Sequence, residues 1–108
     1  MSSSVQLKNT SGGYKPVDPN DPKIQEVAAW AIAEHNKQKG TDLVYKRTLK
    51  AAREDMIGST RYFIDLEASE GCKTNKYYAQ VLEIVCQTPT KELEVFMLQE
   101  NAPIPVAN

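Results

Sequence analysis

Three side chains in this sequence could form a nucleophile–base pair: His35, Cys72 and Cys86. A histidine within hydrogen-bonding reach of a cysteine activates the thiol for attack on an electrophilic carbon. Such a pair also needs a third group that orients the imidazole, and the pattern around His35 indicates none. The cysteines also lack metal-ligand spacing. We therefore interpret His35 as a helix residue packed near a sheet, and we expect no enzyme activity, no metal site and no cofactor.

The two cysteines fall near opposite ends of adjacent predicted strands. About ten residues at ~3.3 Å each would separate them along the ladder, whereas a disulfide needs Cα atoms within ~7 Å. We therefore predict that Cys72 and Cys86 are both free in the monomer. Free thiols favour a reducing compartment, but the glycosylation triplet at Asn9 favours secretion. The compartment stays open between secreted and cytosolic, with secretion preferred.

The segment Glu54-Asp55-Met56-Ile57-Gly58 places two acids beside two large apolar side chains and a glycine. It lies between two stretches that read as β-strands, where glycine permits a tight turn. One interpretation is an ordinary hairpin, and the other is a tip against which a partner docks. Removing an unpaired carboxylate from water costs several kcal/mol, so the two acids weigh against docking unless cations neutralise them.

The composition of the chain limits the classes of protein to which it can belong and the kinds of partner that it can bind. The chain has 108 residues, 41% hydrophobic and 25% charged, with a formal net charge of −1, which is typical of one globular domain. No cluster of Lys and Arg forms the basic face that nucleic acids require. No apolar run approaches the ~20 residues of a membrane span. We predict a mobile arm at 1–11, a domain at 12–100 and a short tail at 101–108, with no nucleic-acid or membrane partner.

One helix is predicted from Pro22 to about Lys39. Asp21 can cap its first turn, Pro22 suits the first helical position, and Gly40 can end it in the left-handed conformation. Apolar residues and one histidine recur at helical spacing at Ile24, Val27, Ala28, Ala31, Ile32 and His35.

After Gly40 the apolar pattern changes to a period of two, which indicates strands. The alternating positions define four consecutive strands, within 43–51, 61–68, 77–86 and 92–97. Tyr14–Val17 could add a fifth strand at the edge. Short turns make neighbouring strands antiparallel, so the turns at Gly58 and Pro89 should lie at the same end of the sheet. The predicted fold is α+β, with one α-helix packed across a four- to five-stranded antiparallel sheet.

The helix segment Val27-Ala28-Ala29-Trp30-Ala31-Ile32-Ala33-Glu34-His35-Asn36 resembles the helix signature of plant cystatins, with Ala for Arg and Trp for Phe. The Gly12-Gly13 pair, Asn20-Asp21-Pro22 and Lys91-Glu92-Leu93 are also similar to that family. The resemblance runs from about Gly12 to Leu98, nearly the whole predicted domain.

This resemblance implies a protein inhibitor that blocks papain-like, cathepsin-like cysteine proteases reversibly and competitively. In the family an arm around the glycine pair and two hairpin loops enter the protease cleft together. The protease-binding residues it implies here are Gly12, Gly13, Glu54, Asp55, Met56, Ile57, Gly58, Pro89 and Thr90. The protein would act as a monomer, and a domain-swapped dimer is the alternative assembly.

The sequence departs from the family in each part of this wedge. The first-loop consensus Gln-x-Val-x-Gly is replaced by Glu54 to Gly58, in which only the glycine matches fully. The second loop keeps Pro89 but has Thr90 where many members carry the tryptophan anchor, so weaker binding is expected. The residues before the glycine pair are polar. The alternative function is therefore a cystatin-fold binding protein that inhibits no protease.

Overall fold

The structure, a computed structural model, describes residues 13–99 as one helix and one antiparallel sheet. The elements are β1 (Tyr14–Val17), α1 (Pro22–Lys39), β2 (Val44–Met56), β3 (Ser59–Glu70), β4 (Lys73–Ile84) and β5 (Lys91–Leu98). The strands follow one another across the sheet in chain order, each antiparallel to its neighbours. This confirms the predicted α+β fold and the fifth strand at the edge. The predicted arm, Gly12, the Asn9 triplet and the tail at 101–108 lie outside the described residues.

The helix has the bounds that its capping residues predict. The Asp21 carboxylate accepts a hydrogen bond from the Lys23 N–H over 2.8 Å, which satisfies one of the donors left free in the first turn. Gly40 ends the helix in the left-handed conformation, at φ 69°, and its N–H donates to the Asn36 carbonyl.

The core lies between one face of α1 and the sheet. The helix contributes Ile24, Val27, Ala28, Ala31 and Ile32, and the strands contribute Ala51, Tyr62, Ile64, Leu66, Ala68, Tyr77, Ala79 and Val81. Small alanines on both elements let the helix lie close to the sheet, because close packing needs side chains that fill the gap without overlap. Trp30 is partly buried against this cluster.

His35 and Asn36, at the end of the family-like segment, have structural partners. The His35 ring stacks on Phe96 of β5, with centroids 4.1 Å apart, and burial lowers the pKa of the imidazole. The Asn36 side chain accepts from the Leu43 N–H and the Thr41 hydroxyl and donates to the Leu43 carbonyl, all within 2.9 Å. Asn36 therefore fixes the connection from the helix to β2.

Two features of the strands differ from the alternation that the sequence predicts. The pairing of β2 with β3 shifts twice, between Tyr45 and Arg47 and between Thr48 and Lys50. A bulge inserts an extra residue and reverses the faces beyond it, so the buried Thr48 interrupts the simple alternation expected over 43–51. The third predicted strand, 77–86, was also placed too late, because β4 runs from Lys73 to Ile84.

Both cysteines are free, as predicted. Both are exposed, Cys72 in the turn after β3 and Cys86 beyond the end of β4 rather than inside the predicted strand. Among residues 13–99, no helix is long and apolar enough to cross a membrane. The same residues contain no group of three or more His, Cys, Asp or Glu that could hold a metal ion.

Candidate functional site

Three segments meet at one end of the sheet. Tyr14, directly after Gly13, pairs with Glu54 near the end of β2. The first loop joins β2 to β3, and the second loop, residues 85–90, joins β4 to β5. The N–H of Val85 donates a 3.0 Å hydrogen bond to the carbonyl of Gly58, which ties the two loops together. The predicted convergence of the two turns at one end of the sheet is therefore confirmed, and Tyr14 lies at the same end. Gly12 and the rest of the predicted arm lie outside the described residues.

The first loop is a tight turn of two residues, Ile57 and Gly58, between the paired residues Met56 and Ser59. Gly58 has φ +78°, a conformation that a side chain makes costly, so the turn needs this glycine. Ile57 is 92% exposed, whereas Met56 is half-buried. The tip therefore presents one large aliphatic side chain to solvent.

The two acids before this tip have cationic partners in the same chain. Arg53 donates to one oxygen of Asp55 through Nε and Nη2, at 3.0 and 2.7 Å, and Thr60 donates to the same oxygen at 3.2 Å. Lys15 of β1 lies 3.6 Å from the other oxygen. The hydrogen bonds from Arg53 are the main reason that the pKa of Asp55 is lowered. Asp55 is thus held as a paired carboxylate rather than as a free charge.

Glu54 belongs to a second cluster of charges centred on Arg61. Arg61 forms a two-pronged pair with Glu94, at 2.7 and 3.1 Å, and its Nη1 lies 3.6 Å from Glu54. Gln80 also donates to Glu94, over 3.0 Å. Two-pronged guanidinium–carboxylate pairs are among the stronger charged hydrogen bonds. These contacts connect the side chains of β2, β3, β4 and β5 behind the two loops.

A third cluster fastens the second loop to the helix. Lys23 donates to Glu83 over 2.9 Å, and the Tyr62 hydroxyl donates to the same carboxylate over 3.3 Å. Lys91, the first residue of β5, lies 3.8 Å from Glu83. Burial alone would raise the pKa of Glu83, but the hydrogen bond and charge of Lys23 and the charge of Lys91 lower it overall. The residues on both sides of the second loop, Glu83 and Lys91, are therefore held in place by ion pairs.

The exposed apolar residue of the second loop is not one of the residues that the sequence predicts for the site. Pro89 follows a cis peptide bond, and the Thr90 carbonyl accepts from the Ile84 N–H over 2.7 Å. Residues 85–90 are all exposed. Val85, which the sequence placed inside a strand, begins this loop and is 63% exposed. The position where β4 stops depends on its pairing, so alternation alone could not find Val85.

Exposed large apolar side chains concentrate at this end of the molecule. Among residues 13–99 there are four, at Tyr14, Val44, Ile57 and Val85, and all but Val44 belong to the three convergent segments. The Tyr14 ring packs against Phe63 of β3, with centroids 5.1 Å apart. Exposed apolar residues that cluster in this way are typical of contact surfaces for other proteins.

Comparison with known protein families identifies the family to which the chain belongs. A family model described as "Aspartic acid proteinase inhibitor" matches residues 17–98. The chain is 42% identical over 62 residues to cysteine proteinase inhibitor 3 of Arabidopsis thaliana, covering 57% of this chain and 49% of the relative. It is 32% identical over 97 residues to cystatin-1 of Zea mays, covering 87% and 66%.

Further relatives carry similar names. The chain is 36% identical over 76 residues to putative cysteine proteinase inhibitor 7 of Oryza sativa subsp. japonica, with coverage of 68% of this chain and 64% of the relative. The chain spans about half to two thirds of the length of these curated plant relatives.

Proposed function

The chain belongs to the cystatin superfamily, within the family described as aspartic acid proteinase inhibitor, and from this membership we propose that it inhibits papain-like cysteine proteases. The inhibition is reversible and competitive, and the surface that enters the protease cleft is the end of the sheet where the arm and two loops meet. Cathepsin-like enzymes are the expected targets. The curated relatives named as cysteine proteinase inhibitors support this class of target.

One observation carries this proposal: the two loops are joined by the Val85–Gly58 hydrogen bond and present Ile57 and Val85 to solvent. A rigid apolar tip loses little conformational freedom when it binds, so more of its contact energy becomes affinity. The acids beside the tip do not oppose binding, because Asp55 and Glu54 already face Arg53 and Arg61. The replacement of the first-loop consensus is thus compatible with a buried contact.

Each part of the wedge has its own role. Gly12 and Gly13 let the arm lie close to the protease backbone, and Gly13 has φ +78°, which favours glycine. Met56, Ile57 and Gly58 form the central tip. Pro89 and Thr90 shape the second loop. Because the second loop lacks a tryptophan, affinity should be lower than in relatives that carry this anchor.

Inhibition of aspartic proteinases is the second candidate function. The description of the matching family favours it, and so does the first loop, in which Glu54 and Met56 replace the Gln and Val of the Gln-x-Val-x-Gly pattern. An aspartic proteinase cleft that accepts the same apolar tip in a different orientation would be compatible with the geometry of the loops and with the changed first-loop residues.

Steady-state assays with the purified protein against papain, a cathepsin panel and pepsin decide between these functions. Inhibition of papain that increases with the concentration of the protein and decreases with the concentration of substrate supports the first proposal. Inhibition of pepsin without papain moves the function to the second candidate. If papain, the cathepsins and pepsin all remain active at a large molar excess of the protein, both proposals are wrong and the non-inhibitory binding protein is the function that remains.

A further inference from the structure

The second loop contains an exposed apolar residue at its beginning, Val85. Val85 follows directly after the last residue of β4, and it is 63% exposed, although valine usually lies inside. Cys86, the next residue, has φ +66°, which L side chains rarely adopt, so the chain turns sharply away from the strand there. Non-glycine residues in this conformation concentrate at binding sites and switch regions.

Val85 is also joined to the first loop. Its N–H donates to the Gly58 carbonyl over 3.0 Å, and Ile57 stands one residue before that carbonyl. The neighbouring pairs of strand residues, Ser59 with Ile84 and Thr60 with Glu83, keep the two loops in register. Ile57 and Val85 are therefore exposed apolar residues on two hydrogen-bonded loop segments, and we call this pair of residues the apolar ridge.

We propose that Val85 is the second-loop anchor of the inhibitor and that it contacts the protease together with Ile57 of the first loop. Pro89 and Thr90, later in the second loop, carry no large apolar side chain for this role. This inference rests on the proposed function and deepens it. The ridge fits a protease whose cleft has an adjacent apolar wall, since two aliphatic side chains offer no hydrogen bonds. Charged residues close to it in sequence are already paired: Asp55 with Arg53, and Glu83 with Lys23.

Val85→Ala tests this inference, with Val44→Ala as the matched control. Val44 is also an exposed valine, 56% exposed, but it begins β2 at the opposite end of the sheet. The inhibition constant against papain, or against pepsin if papain is not inhibited, should rise roughly tenfold for Val85→Ala, as for a residue of a binding hot spot. For Val44→Ala it should change by less than about twofold, and Thr90→Ala should weaken inhibition less than Val85→Ala does.

The double variant Ile57→Ala/Val85→Ala tests whether the two residues act as one surface. Its effect should be smaller than the product of the two single effects, because loss of one side chain loosens the contact made by the other. Equal urea midpoints for all variants will show that they remain folded.

The outcomes separate the inference from the function on which it rests. If the wild-type protein inhibits and Val85→Ala inhibits equally well, Val85 is not an anchor and the inference is overturned while the proposed function stands. If Thr90→Ala weakens inhibition more than Val85→Ala, the contact lies at the loop tip and the inference is again wrong. If the wild-type protein inhibits neither enzyme, the proposed function fails and the inference fails with it.

Discussion

Arg53 donates two hydrogen bonds, of 2.7 and 3.0 Å, to a single carboxylate oxygen of Asp55, two residues further along β2. Residues two apart on a strand point to the same face, so the pair forms without any distortion of the backbone. The second acid of the first loop, at a variable position of the family pattern, is therefore neutralised inside the molecule. The compatibility of this loop with a protein contact depends on Arg53.

Arg53→Ala should weaken inhibition more than Asp55→Asn does. Without Arg53 the carboxylate keeps only Thr60 and the more distant Lys15, and its desolvation on binding is less compensated. We expect a loss of about 1 kcal/mol, or roughly fivefold in the inhibition constant, because the pair is partly exposed. The double variant Arg53→Ala/Asp55→Asn should recover most of this loss in steady-state titrations.

Arg47→Ala is the control for the loss of an arginine. Arg47 pairs with Glu67 over 2.8 Å on the same sheet, away from the two loops. Its removal should leave inhibition unchanged. If the Arg53→Ala and Arg47→Ala variants inhibit the protease equally well, the pairing of Asp55 with Arg53 has no role in the contact with the protease.

Gly58→Ala should reduce both stability and inhibition. At φ +78° a Cβ meets no atom within 4 Å, so the cost is backbone strain rather than overlap. That strain amounts to about 1–2 kcal/mol. Urea unfolding will measure this cost in the free protein, and papain inhibition will measure the displacement of the tip.

Gly71→Ala provides a matched variant at the other end of the sheet. Gly71 has φ +64°, also with nothing within 4 Å of an added Cβ, in the turn between β3 and β4. The two variants should lose similar free energy of unfolding, but only Gly58→Ala should lose inhibition. Equal loss of inhibition in both would show that reduced stability, and not loop geometry, is responsible.

The sequence predicts those parts of the fold that depend on local residue types. Asp21, Pro22 and Gly40 set the bounds of the helix because capping involves neighbours in the chain. Alternation predicts four strands in meander order, and the convergence of the loops follows from that order. These features needed no knowledge of which residues face each other across strands.

The features that the sequence missed depend on contacts between strands. The shifts in register around Thr48 and the end of β4 before Val85 are set by the pairing of whole strands. Glu54 meets Arg61 through β2–β3 pairing, so the sequence alone could not tell a paired acid from a free one. The pairing of these acids with arginines makes the divergent first loop compatible with a protein contact, and only the three-dimensional structure shows it.

His35 should titrate below its usual pKa of 6.5, because burial against Phe96 disfavours the charged imidazole and Lys39 repels it. The chain contains one histidine, so its ring protons give an unambiguous NMR titration. The unfolded chain then binds the proton more readily than the folded protein does. The contribution of His35 to stability is full above pH 6.5 and is lost as the pH falls towards its folded pKa.

His35→Gln is the comparison for this effect. Glutamine does not titrate, so the difference in melting temperature between wild type and variant should narrow as the pH falls below 6.5. A midpoint at or above 6.5 in the NMR titration would contradict the prediction.

Asp65→Asn should stabilise the protein at neutral pH. Asp65 lies on β3, and its pKa is raised above the usual 3.8 because burial disfavours the carboxylate, while the charge of Lys50 offsets this only in part. A raised folded pKa means that the stabilising form is the protonated one. Its contribution is complete below pH 3.8 and is lost as the pH rises through the folded pKa.

Melting temperatures between pH 3 and pH 7 will test the Asp65 prediction. Asparagine has almost the same shape and carries no charge, so the variant should melt higher than wild type at pH 7, and the difference should shrink towards pH 3. Glu67→Gln is the control, since Glu67 is two residues away on the same strand but is paired with Arg47. It should melt at or below the wild-type temperature at pH 7, because it removes an attractive pair. If Asp65→Asn also melts lower than wild type at pH 7, the ionised carboxylate is stabilising and the assigned direction of its pKa is wrong.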